Sequence, residues 1–109
     1  MHELAITQSV VDAIVERLGE TPVAVVHLVI GRVSGVDPEA VRFCFDLVAQ
    51  GTSVEGARLQ ISEPAGRARC RACRAEFDVD DLLLLCGCGS ADVELCQGQE
   101  LVVRAVEVA

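Results

Sequence analysis

The chain has 109 residues, enough for one modest core, and 51% of them are apolar, which excludes general disorder. Aromatics are only 3%, with no Trp or Tyr, so that core must be built from Val, Leu, Ile and Ala. Nine arginines and no lysine stand against seventeen acidic residues, a formal net charge of -8 that opposes nucleic acid binding on average. No apolar run approaches the roughly 18–20 residues of a membrane span. The start lacks a basic segment followed by an apolar one, so a soluble, cytoplasmic protein is expected.

In chain order, Leu4, Val11, Ile14, Val15 and Leu18 recur at steps of three and four, with Gln8, Asp12 and Glu16 between them. That spacing predicts an amphipathic helix from His2 to Leu18, stopped by Gly19. Val23 to Ile30 is a β-branched run, apolar on both faces, which predicts a buried strand. Asp37 is a good N-cap with Pro38 at the first helical position, so a second helix runs from there to about Gly51. Within it, Cys44 reads as a packed core thiol. Ala57, Leu59 and Ile61 alternate with Arg58, Gln60 and Ser62, the pattern of a half-buried strand, and ELVVRAVEVA is a final strand. His27, in VVHLV, is expected to be a core-facing or edge residue rather than a ligand.

The six cysteines are at 44, 70, 73, 86, 88 and 96, five of them crowded between Cys70 and Cys96 near the end of the chain. A reducing compartment favours metal over disulfides. Cys70-Arg71-Ala72-Cys73 is a C-x2-C knuckle, and Cys86-Gly87-Cys88 supplies a second, tighter pair, with Gly87 and Gly89 easing the turn. Two thiolate pairs meet the needs of a tetrahedral structural zinc, whose four soft ligands leave no open position. Cys96 could replace one of the second pair. A redox pair at Cys70 and Cys73 fits less well, because the strand-to-helix setting of such motifs is missing. Arg67, Arg69, Arg71 and Arg74 surround the first knuckle, and their simplest role is to offset the negative charge of a four-thiolate zinc. The expected fold is α+β: two helices packed on a small mixed β-sheet, residues 1–63 and 96–109, with an inserted zinc-ribbon-like domain at 64–95.

Taken jointly, MHEL, VHLVIGRVSGVDPEAVRFCFDLVAQGT, EGARLQI and the paired cysteines followed by GCGS and GQELVVRAVEV resemble the HypA/HybF family over nearly the whole chain. The resemblance implies a nickel metallochaperone of [NiFe]-hydrogenase maturation rather than an enzyme. It implies a structural zinc and a nickel site on the N-terminal histidine. It further implies a nickel-handling GTPase partner (HypB) and delivery to the hydrogenase large subunit, with urease served by some members. One departure is plain: the family's second knuckle is usually C-P-x-C, whereas here it is one residue shorter and lacks the proline.

MHEL then has a chemical reading. The free amine of Met1, the amide and imidazole of His2 and the amide of Glu3 can close adjacent chelate rings around one ion, and such a nitrogen-rich set suits Ni(II) or Cu(II) rather than zinc. The Glu3 carboxylate could instead support the imidazole. A zinc-ribbon interaction module touching nucleic acid or a protein complex through its arginines is the competing reading, and the net charge of -8 and the lack of stacking aromatics weigh against nucleic acid. The sequence fits a monomer or a homodimer.

Overall fold

A computed structural model describes residues 2–81 and 83–109. Helix α1 spans Glu3–Leu18, strand β1 Val23–Ile30, helix α2 Pro38–Ala49, and strand β2 Arg58–Ser62. Strands β3 (Gly66–Cys70), β4 (Glu76–Val79) and β5 (Val93–Gln97) follow, and β6 (Leu101–Val108) closes the chain. Two three-stranded sheets result, ordered β2-β1-β6 and β4-β3-β5. The molecule measures 53 × 22 × 18 Å, so the two sheets sit end to end rather than face to face.

The first sheet is mixed, as expected. β1 pairs in parallel with β2 and antiparallel with β6. Parallel neighbours need a crossover, and α2 provides it between β1 and β2. Both helices cover one face, where Val11, Ile14, Val26, Leu28, Ile30, Val41, Phe45 and Leu59 form the main core. Asp37 caps α2 by accepting the Glu39 N–H at 3.0 Å, and Pro38 follows it in the first turn. Gly19 ends α1 in the left-handed region (φ 62°), donating its N–H to the Val15 carbonyl.

Three expectations about burial need correction. Leu4 lies on the exposed side of α1, and the buried position in that turn belongs to Thr7, whose hydroxyl donates to the Glu3 carbonyl at 2.7 Å. Cys44 is half-buried, because the buried stripe of α2 runs through Val41, Phe45 and Ala49 and leaves Cys44 on its flank. His27 lies on the central strand but faces neither the core nor an edge. Its neighbours Val26 and Leu28 take the helix-covered face, and its ring points to the open one, where Nε2 meets Glu107 Oε2 at 2.5 Å.

The sheets meet where three glycines cross. Gly31 donates to the Glu100 carbonyl and Val33 to the Gly98 carbonyl, at 2.8 and 2.9 Å. A Cβ on Gly31 would stand 2.1 Å from the Gly98 carbonyl oxygen, and one on Gly98 2.5 Å from the Gly66 Cα. Val33, although it comes from the β1–α2 connection, is 2% exposed because it plugs the second core beside Ala68 and Val79. Gly98 also sits at φ 108°, which a side chain rarely adopts. Gly98→Ala is therefore expected to lower the unfolding free energy by about 3 kcal/mol, from backbone strain and overpacking together. A loss below about 1 kcal/mol by urea unfolding would mean that the crossing yields easily.

Candidate metal centre

The insert's first knuckle begins as β3 ends. The Cys70 N–H donates to the Ala75 carbonyl and the Arg74 N–H to the Cys70 carbonyl, both at 2.8 Å, which folds the chain back tightly enough to put Arg74 at φ 66°. The Cys73 N–H then points at Cys70 Sγ, 3.5 Å away. In the second knuckle, the Gly89 N–H returns to the Cys86 carbonyl at 2.9 Å and the Cys86 N–H reaches the Ser90 carbonyl at 3.0 Å. Gly89, at φ 93°, carries the unusual conformation of this turn, whereas Gly87 does not.

These turns bring Cys70, Cys73, Cys86 and Cys88 together, with all four sulfurs within 4.8 Å of one another. Cys70 Sγ lies 3.7 Å from Cys88 Sγ, and Cys73 Sγ lies 3.6 Å from Cys86 Sγ. A tetrahedron of zinc–sulfur bonds near 2.3 Å has sulfur–sulfur edges of about 3.8 Å, so the dimensions suit that ion. Cys70 and Cys86 are buried, while Cys73 and Cys88 face outward. The Cys73 backbone N–H pulls the Cys70 thiol down to about 6. The Cys88 backbone N–H favours the Cys86 thiolate, but burial and the neighbouring sulfurs outweigh it and push that thiol up to about 12. A bound cation reverses this crowding, since it stabilises all four thiolates at once.

Cys96 is not in the group. It is exposed on β5, with its thiol toward the Glu94 carbonyl. The arginines do not act together on the cluster either: Arg67 pairs with Asp78 at 2.8 Å and Arg71 with Asp92 at 3.0 Å, so these two offset carboxylates instead.

At the other end of the chain, Met1 lies outside the described residues. His2 is the N-cap position of α1, yet its side chain makes no capping bond, and among the described residues its exposed imidazole has no partner. The Glu3 carboxylate is engaged: Oε2 accepts the Asp37 N–H at 3.2 Å, and that bond holds its pKa below the usual carboxylate range. The starts of α1 and α2 thus share one corner, with Asp37 beside Glu3. Sequence reasoning used Asp37 only as a cap, because nothing local signals a contact across the intervening strand.

A two-helix α+β unit joined to a four-cysteine cluster fits a small metal-binding protein, and among the described residues no helix is long and apolar enough to cross a membrane. The HypA family profile, described as hydrogenase/urease nickel incorporation, metallochaperone, matches residues 1–108. The chain is similar to the "Hydrogenase maturation factor HypA" of Nostoc punctiforme, 43% identical over 108 residues that cover 99% of this chain and 96% of that one. It is likewise similar to the protein of that name from Chlorobaculum tepidum, 44% identical over 112 residues, covering 99% of each. In fold it matches the solution structure of the Ni metallochaperone HypA from Helicobacter pylori, with TM-score 0.67 and 23% identity over 99% of this chain and 97% of that one. The chain belongs to the HypA family, whose members are maturation factors for hydrogenase and urease nickel incorporation and not enzymes.

If Cys86 and Cys88 are both ligands, Cys96→Ser keeps about one metal ion per chain by elemental analysis, while Cys88→Ser loses most of it. The opposite pattern would move the fourth ligand to Cys96.

Proposed function

We propose that this protein is a nickel metallochaperone that binds Ni(II) at Met1, His2 and Glu3 and delivers it to the large subunit of [NiFe]-hydrogenase. Family membership supports the class of reaction. The observation that carries the site is the unengaged His2 imidazole at the very position where a helix normally spends its side chain on a cap. Beside it, the Glu3 carboxylate is tied to Asp37, which leaves the Glu3 amide, rather than its side chain, as the simplest donor. The Met1 amine and the His2 amide and imidazole complete a four-nitrogen set of the kind Ni(II) favours. The α+β unit, residues 1–63 and 96–109, would carry the cargo, and residues 64–95 would hold zinc at Cys70, Cys73, Cys86 and Cys88 as a structural ion. A nickel-handling GTPase (HypB) is the expected partner, the cytoplasm the expected compartment, and urease maturation a second use.

His2→Ala should weaken Ni(II) binding by more than about tenfold, or about 1.4 kcal/mol. Zinc content and helical circular dichroism should stay unchanged, because the exposed side chain buries nothing. An N-terminal extension turns the amine into an amide and should reproduce the loss. Extended protein that binds normally would remove the amine from the ligand set, and normal binding by His2→Ala would end the proposal.

A further inference from the structure

β6 is one of the two edge strands of the first sheet, with β2 at the other side, and it carries exposed apolar side chains along its length. Natural edge strands are commonly short, charged or covered, since an open row of backbone groups invites pairing. Here Leu101, Val102 and Val108 are exposed by 39%, 52% and 55%. An apolar groove of about 410 Å³, lined by Ile14, Leu18, Val103 and Val106, opens between α1 and this strand.

The register shows which way each side chain faces. Leu101, Val103, Val106 and Val108 stand opposite Ile30, Leu28, Val26 and Val23, all on the helix-covered side. Val102, Ala105 and Glu107 stand opposite Val29, His27 and Val25 on the open side. The register shifts between His27 and Leu28, and Arg104 is the extra residue; it lines the open-side groove with His27, Gln60 and Ser62. From Leu101 to Val108 the faces therefore read helix, open, helix, open, open, helix, open, helix. The order is the same from either end. A strictly alternating strand of this length would meet itself out of face in full overlap.

We propose that a second copy of the chain pairs antiparallel along β6, with residues 101–108 in full overlap, to make one continuous six-stranded sheet. Every position then meets a residue on its own face: Leu101 opposite Val108, Val102 opposite Glu107, Val103 opposite Val106, and Arg104 opposite Ala105 of the other copy. The exposed apolar side chains are covered, and the two α1 grooves are extended by the other copy's valines. Arg104, which has no ion-pair or hydrogen-bond partner among the described residues, gains Glu107 of the other copy on the diagonal, within reach of a long side chain. Symmetry supplies that pair twice. The contact is isologous and closes on itself, so it yields a dimer rather than a fibre.

The test is sedimentation of the full-length, metal-loaded protein across a concentration series into the millimolar range, with two variants of one residue. Val102→Glu sets a carboxylate against Glu107 of the other copy twice per dimer, and should raise the dimer dissociation constant by about tenfold or more. Val102→Arg sets the opposite charge there and should lower it. Helical circular dichroism and metal content serve as controls for folding. A wild type that stays monomeric throughout overturns the proposal, as does a dimer whose constant moves in the same direction, or not at all, in both variants. If Val102→Glu does not fold, Val102→Arg decides alone: a tighter dimer supports the pairing and an unchanged one overturns it.

Discussion

The crossing of Gly31, Gly66 and Gly98 is the constraint on which the rest depends. Three backbones pass so closely there that no side chain fits between them. The crossing lets β1 and β6 continue their pairing past the end of the first sheet, and it lets Val33 enter the second core. Without it, the insert would hang from two loose strands. That second core is small, with Val33, Ala68 and Val79 buried and Phe77, Leu84 and Leu95 packed partly against them. A core of that size is marginal without a staple. A metal ion on four thiolates is such a staple, because its binding free energy becomes folding free energy.

The shortened second knuckle becomes intelligible in the same physical terms. A two-residue spacer lets one backbone N–H turn toward the first sulfur, as Cys73 does toward Cys70. Cys86-Gly87-Cys88 keeps that contact with one residue fewer, its Cys88 N–H favouring the Cys86 sulfur. Its turn closes, like the first, at the residue after the second cysteine, through the bond from Gly89 to Cys86. Gly89 takes a positive φ there, as Arg74 does at the same place in the first knuckle, and glycine adopts it without strain. The result keeps both sulfurs within reach of the first pair, so the loss of a residue tightens the turn without parting the sulfurs.

Much of this was legible in the sequence wherever the signal was local. Asp37-Pro38 announced the start of α2, and Val23–Ile30 announced β1, because cap chemistry and β-branched runs act within a few residues. What escaped was set by partners far along the chain. The three strands of the insert are short and carry arginine and acidic residues, so their pairing with one another, not their composition, makes them strands. The outward turn of His27 follows from which face the helices cover. The contact of Glu3 with Asp37 joins the starts of two helices across 34 residues of sequence. On the site side, cysteine spacing already favoured Cys70, Cys73, Cys86 and Cys88 over a set with Cys96 in the second pair, and packing leaves Cys96 apart from that group.

The two metal positions differ in the quality that matters most for a carrier. The four-thiolate group is half-buried, closed and soft, the features of an ion that stays. The proposed nickel corner lies where α1 and α2 both begin, and the positive ends of two helix dipoles disfavour a cation there. The Glu3 carboxylate opposes that field in part, yet it is already spent on the Asp37 N–H. The imidazole of His2 is exposed, and a nitrogen set that must lose amide protons to bind weakens as they return. Such a site suits cargo that must be handed on, whereas the thiolate cluster suits an ion that holds a small domain together.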